Sequence, residues 1–400
     1  MAGPYAPPVR RYRELLRIPG VPPLLLAAGA ARLPYGMFIL ALILLLRAQG
    51  FDYAEVGLVT AASGFSVGVS APVLGRVIDR VGQTRVLVAT AAMTVVTGVA
   101  LVVAALSGAG VALLTALAFA GGLSVPPVGP TLRTLLPGLV GRERLDTAFA
   151  LDALQVELAF VLGPLLAAGL AAGISPEVGY LTGVVLQAAG ALAVAANPVS
   201  RRWRPAPHEP GSRRAGALSL PGLRLLLLPL LLGAVSLGVL EIGIAAFAEQ
   251  YGTRDDSGWL FALWGAGSLA GGLWYGARDW RAPVHARFLA VTAAMAVCLA
   301  PLPLAGSLPA FAACVIVAGL ALAPSTTATY SLVSELAPTT APTEAYAWVI
   351  VCFVAGSAAG AWLAGVVVES VSVAAALACA PLAGALALLV ALAARRAIAV

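Results

Sequence analysis

The sequence predicts an all-α membrane protein with twelve transmembrane helices in two pseudo-symmetric six-helix bundles. Three observations carry that expectation. The 400 residues are 60% hydrophobic and only 10% charged, with a mean hydropathy of +0.96, far more apolar than a water-soluble domain tolerates. Apolar stretches of about 20 residues, the length an α-helix needs to cross hydrocarbon, recur end to end without the alternation of barrel strands. The two halves also repeat each other: RVLVATAAM at 85–93 resembles RFLAVTAAM at 287–295, and TAFA at 147–150 resembles EAYA at 344–347.

In order, a tail over residues 1–20 precedes six spans within 21–197: Val21–Leu46, Tyr53–Leu74, Val86–Leu106, Val111–Arg133, Thr147–Ala172 and Pro176–Ala196. The first is too long for a cleavable signal peptide. Residues 198–222, rich in Pro, Gly and Arg, are too polar to cross and read as a linker. Six further spans lie within 223–394: Leu223–Phe247, Gly258–Tyr275, Phe288–Leu304, Pro309–Ser334, Glu344–Val368 and Val373–Ala394. Residues 395–400 form a closing tail. Pro126, Pro127 and Pro130 should kink or locally unwind the fourth helix. The pairs Gly64/Gly68, Gly267/Gly271, Gly272/Gly276 and Gly356/Gly360 should let helices two, eight and eleven pack closely. Internal repeats of this kind place a site between the halves near the bilayer midplane, the geometry of alternating access.

All 24 basic residues are arginine. Counting the two tails and every second loop puts 20 of them on one side, including Arg10, Arg11, Arg395 and Arg396, and leaves only Arg47 and Arg254 on the other. By the positive-inside rule the rich side, with both termini, is expected to be cytoplasmic and the chain multi-pass in the inner (plasma) membrane. The net charge of +6 is thus a topology signal, and no nucleic acid is expected as a partner. Cys298, Cys314, Cys352 and Cys379 sit in apolar spans without paired spacing, and His208 and His285 fall in loops, so neither a disulfide framework nor a metal site is expected. No cofactor and no catalytic residue are expected.

Between the second and third spans runs LGRVIDRVGQTRV, residues 74–86. Gly75-x-x-x-Asp79-Arg80-x-Gly82-x-x-Arg85 resembles the signature loop of the major facilitator superfamily, and the span count, six-plus-six division and long middle loop agree with it. One departure is Thr84, where that family usually has a basic residue. Gly75 and Gly82 allow a sharp turn and close approach. The resemblance implies that Asp79 latches the two halves on the cytoplasmic side, against the amino terminus of helix eleven near Thr343 to Ala345, where a carboxylate is stabilised. Glu344 is an awkward neighbour for Asp79, so Arg133 is expected to neutralise the cluster.

Arg32 lies midway along the first span, where an arginine must face a cavity or a partner. Glu157 and Asp152 on helix five are the candidates; five residues apart, they sit about 140° around the helix, so one cannot substitute for the other. Glu157, near mid-span, is the favoured partner. Glu241, in helix seven, has no basic neighbour in sequence and is the candidate for proton coupling. Tyr35, Trp264, Tyr330 and Trp348 are candidates for lining a substrate cavity. Gly163-Pro164 followed by Gly169 partly matches a pattern of the superfamily's proton-driven exporters, with Ala168 departing from it.

The resemblance therefore implies a secondary active transporter, expected to export a small organic molecule against protons by alternating access, with a proton-coupled importer of a sugar or amino acid as the alternative. The expected partners are the bilayer, a small-molecule substrate and protons, and the chain is expected to be monomeric. An ATP-driven pump is excluded because the chain has no lysine for a phosphate-binding loop. An enzyme is not expected, since no His, Asp or Cys residues cluster at one membrane face.

Overall fold

The computed structural model describes residues 8–205, 216–252 and 256–398. His208, Arg254 and the middle of the linker lie outside these residues. Sixteen α-helices follow in chain order: α1 (Pro8–Leu16), α2 (Val21–Ala48), α3 (Tyr53–Val81), α4 (Gln83–Leu106), α5 (Val111–Leu123), α6 (Val128–Val140), α7 (Leu145–Gly173), α8 (Pro176–Ala196), α9 (Pro198–Arg202), α10 (Pro221–Tyr251), α11 (Asp256–Gly276), α12 (Val284–Leu299), α13 (Leu308–Leu320), α14 (Leu322–Leu336), α15 (Pro342–Ser370) and α16 (Val373–Ile398).

Among the described residues, eleven spans are long and apolar enough to cross a membrane. The remaining position is α11, a 21-residue helix whose glycines dilute its apolar side chains. Two crossings are each built from a pair of helices. The fourth breaks between α5 and α6, where Pro126 and Pro127 interrupt the ladder as the sequence leads one to expect, and the tenth is α13 followed by α14.

The helix contacts repeat with the sequence. α2 packs on α7 and α8 as α10 packs on α15 and α16; α3 meets α5 as α11 meets α13; α4 meets α8 as α12 meets α16. The matching segments RVLVATAAM and RFLAVTAAM occupy the equivalent helices α4 and α12. The two bundles join chiefly through α3 against α15 and α7 against α11, the pairings exchanged by the pseudo-two-fold.

Three of the four glycine pairs act as expected. A Cβ at Gly267 or Gly271 would strike the α13 backbone, one at Gly356 or Gly360 the α10 backbone, and one at Gly272 or Gly276 the side chains of Leu154 or Ala150 in α7. Gly64 and Gly68 do not. Gly64 has open space beside it, and Gly68 faces only the Val354 side chain at 3.9 Å. The close approach of α3 to α5 instead uses Gly122 of α5 against Ser63 and Ser66, because α3 turns its serine face to that helix.

Gly75 to Arg80, read above as loop, belong to the last turns of α3. The reversal itself is confined to Gly82, whose φ of 97° is accessible to glycine at no steric cost. This end of the molecule also carries α1 and the end of α16, and it is called the terminal face below.

Candidate functional site

At the terminal face the two bundles are locked together by buried polar contacts. Asp79 is only 4% exposed, and its carboxylate accepts the backbone N–H groups of Thr343 (3.2 Å) and Glu344 (2.9 Å). These lie in the first turn of α15, where N–H groups have no partner within the helix and the macrodipole favours negative charge. The approach needs Gly75, since a Cβ there would lie 2.9 Å from the Glu344 Cα. Thr134 and Thr343 share a hydroxyl contact of 3.1 Å beside it.

Glu344 is neutralised by Arg76, not by Arg133. Arg76 grips it with Nη2 at 2.6 Å and Nε at 3.2 Å, and Trp348 Nε1 adds a donor at 3.4 Å. Arg76 is on the same helix as Asp79, one turn away, so α3 carries both the anion that caps α15 and the cation that balances its first-turn glutamate. Arg80 and Arg85, also part of the motif, are exposed and take no part in this contact.

The pseudo-two-fold mate of this latch joins α7 to α11. Thr147 Oγ1 donates to the Gly276 carbonyl at 2.6 Å. Asp146 accepts from Arg287 and, at 2.6 Å, from Ser331 Oγ. α1 reinforces this side: Tyr12 OH donates to the carbonyls of Leu273 (3.2 Å) and Gly272 (3.4 Å), and Arg11 pairs with Asp279. Burial pushes the Tyr12 phenol up to about 12, so it remains a donor throughout the physiological range. The first helix of one half thus grips the other half.

Within the membrane the charged residues sort differently from the sequence reading. Arg32 pairs with Asp152 through Nη1, and Arg133 Nε donates to the other Asp152 oxygen at 2.8 Å. Asp152 and Arg32 are both 0% exposed. Arg133 also stacks on the Tyr330 ring, 3.7 Å from its centroid, across the boundary between the bundles. Glu157 is not the partner of Arg32; it accepts from Ser268 Oγ of α11 at 3.1 Å. The reason is reach. Side chains on α2 tilt toward its amino terminus at the terminal face, so the long Arg32 side chain descends toward Asp152 rather than staying level with Glu157.

Glu241, in α10, accepts from Ser357 Oγ of α15 at 3.3 Å, and among the described residues no arginine pairs with it. Among the described residues, each half therefore holds a membrane-depth carboxylate whose partner is a serine hydroxyl. Of the four aromatic candidates, Tyr330 stands in the Arg32–Asp152–Arg133 cluster, Tyr35 lies on α2 one turn from Arg32, Trp348 sits on Glu344 at the latch, and Trp264 Nε1 is buried with no hydrogen-bond partner among the described residues. Gly163 of α7 abuts the Gly36 backbone, so it serves the packing of the first helix on the fifth.

Sequence reasoning missed the Arg76–Glu344 and Arg287–Asp146 pairs and the α1 contacts. No local signal marks either pair, since Arg76 lies within α3 and Arg287 within α12, each far in sequence from its acidic partner.

The chain belongs to the Major Facilitator Superfamily, whose family profile matches residues 24–303. It is 31% identical over 287 residues to an uncharacterized MFS-type transporter, y4rN, of Sinorhizobium fredii (strain NBRC 101917 / NGR234), a match spanning 66% of each chain, or about two thirds of that relative's length. Its fold is similar to that of a bacterial homologue of the iron transporter ferroportin in an outward-facing state, with a TM-score of 0.76 at 14% identity over 93% of this chain and 98% of that one. It is also similar to the Major Facilitator Superfamily transporter FucP in the outward conformation, with a TM-score of 0.72 at 13% identity over 94% and 98%. This is a multi-pass membrane protein of a transporter family.

Proposed function

We propose that the chain is a proton-coupled secondary transporter that moves a small organic compound out of the cell by alternating access, as a monomer in the plasma membrane. The observation that carries proton coupling is the pair Glu157 and Glu241, one in each half, each held by a serine and by no arginine among the described residues. A charge left alone at that depth costs several kcal/mol, and a carboxylate escapes that cost by taking up a proton. A change of access that alternately hydrates and dries such a group loads and releases that proton.

The arginine asymmetry supports a cytoplasmic terminal face. On that reading the molecule is closed to the cytoplasm, with Asp79 as the latch, and the residues Gly75, Asp79, Arg76 and Glu344 form the gate. The partial exporter pattern Gly163-Pro164…Gly169 favours outward movement.

The test is transport in proteoliposomes under an imposed pH gradient, alongside growth of a sensitive bacterial host with a panel of toxic compounds. Protection of the host and gradient-driven extrusion are expected. Accumulation in place of protection would reverse the direction, and transport indifferent to the gradient would remove proton coupling.

A further inference from the structure

The buried cluster in the first bundle does not balance. Two guanidinium groups, Arg32 and Arg133, share the single carboxylate of Asp152. Arg32 is 0% exposed, yet only Nη1 is used; Nε and Nη2 have no hydrogen-bond partner among the described residues. Those two nitrogens lie on one edge of the guanidinium plane, and together they form the fork that receives a carboxylate through two parallel hydrogen bonds. An unpaired buried fork is expensive, and Glu157, committed to Ser268, does not fill it.

The surroundings favour an anion as well. A Cβ at Gly129 would lie 3.7 Å from Arg32 Nη2 and 3.6 Å from Arg133 Nη1, so both cations flank the first turn of α6. That turn is the start of a 13-residue half-helix created by the break after α5, and its dipole presents positive charge. The cluster borders the other bundle, because the Tyr330 ring of α14 covers Arg133. A compound held between the bundles would meet it.

We propose that the side-on fork of Arg32 is the recognition point of the transport site, and that the transported compound is an organic anion carrying one carboxylate or a comparable planar oxyanion. This rests on the transporter reading above and gives it a substrate class. One negative charge brings the cluster to neutrality. The Tyr330 ring, stacked on Arg133, offers an apolar face beside the cluster.

Isothermal titration of the full-length protein in detergent with benzoate and octanoate, each compared with its amide, tests the inference. At least one acid is expected to bind tenfold or more tightly than its amide. Arg32→Gln should bring that acid to the level of the amide, while Asp152 keeps Arg133. Arg32→Lys keeps the charge beside Asp152 but has no fork, so it should give a smaller gap and carries the test if the glutamine variant does not fold. Acids and amides binding alike to the wild-type protein, or a tenfold gap surviving in either variant, would overturn the proposal. Proteoliposomes loaded with the same compounds separate this from the reading it rests on. Arg32-dependent binding without gradient-driven movement leaves the anion site and sinks the coupled transporter; gradient-driven movement of the amides without selective binding of the acids does the reverse.

Discussion

Asp152 and Asp79 are both buried carboxylates, and they hold very different shares of the stability. Among the described residues Asp152 is the only anion paired with Arg32 and Arg133, so Asp152→Asn strands two buried cations and should lose about 3–5 kcal/mol. Asp79 meets two N–H groups and a helix dipole, an interaction of about 0.3–2 kcal/mol, and asparagine keeps its size. Thermal unfolding in detergent should therefore show a large fall in Tm for Asp152→Asn and a small one for Asp79→Asn. The transport phenotypes should rank differently: Asp79→Asn loosens closure at the terminal face, while the fold persists. For Glu241, glutamine copies the protonated form. Glu241→Gln should retain substrate exchange between the two sides of a vesicle yet lose the response to an imposed pH gradient; a fully driven variant would pass the coupling role to Glu157.

At the scale of helices, the contact of α3 with α15 depends on the missing side chain at Gly75. Gly75→Val would drive a branched carbon into the Glu344 backbone and should hold the bundles apart at this face. The readout is labelling of a cysteine placed at Thr343, which is 0% exposed, after the four native cysteines are replaced by alanine: fast labelling is expected with valine at 75 and slow labelling with glycine. This contact was expected only through the resemblance of residues 75–85 to the superfamily's signature loop; that the stretch is helical, with the four-residue spacing putting Gly75 and Asp79 on one face, is a finding of the structure. The twelve crossings, the repeat and the proline break were legible in the sequence, since each is written locally. The partner of Arg32 was not. By helical rise Arg32 stands about 16 Å above the start of α2, Asp152 about 10 Å above the start of α7 and Glu157 about 18 Å, so level alone favours Glu157. The tilt of the side chain and the arrival of Arg133 from α6 decide for Asp152, and both depend on how three helices are set against one another. The serines that bind Glu157 and Glu241 were equally hidden, being supplied by helices more than a hundred positions away.

For the molecule as a whole, the pseudo-two-fold gives two latches built from unlike parts. The α3–α15 side closes on a carboxylate capping a helix; the α7–α11 side closes on Thr147, Asp146 and the added grip of α1. Tyr12→Phe removes a donor to two carbonyls and should weaken closure by about 0.5–1.5 kcal/mol, seen as faster labelling at the same terminal-face cysteine. The grip of α1 also bears on how the protein is made. Tyr12 and its acceptor Gly272 are 260 positions apart, and a ribosome adding about 5–20 residues per second needs on the order of 13–52 seconds to travel between them. Throughout that interval Tyr12 lacks these two acceptors. Only when α11 has entered the bilayer does Tyr12 find its seat, so the step that fastens the α7–α11 side waits on a segment made some 260 residues after the one that supplies the donor.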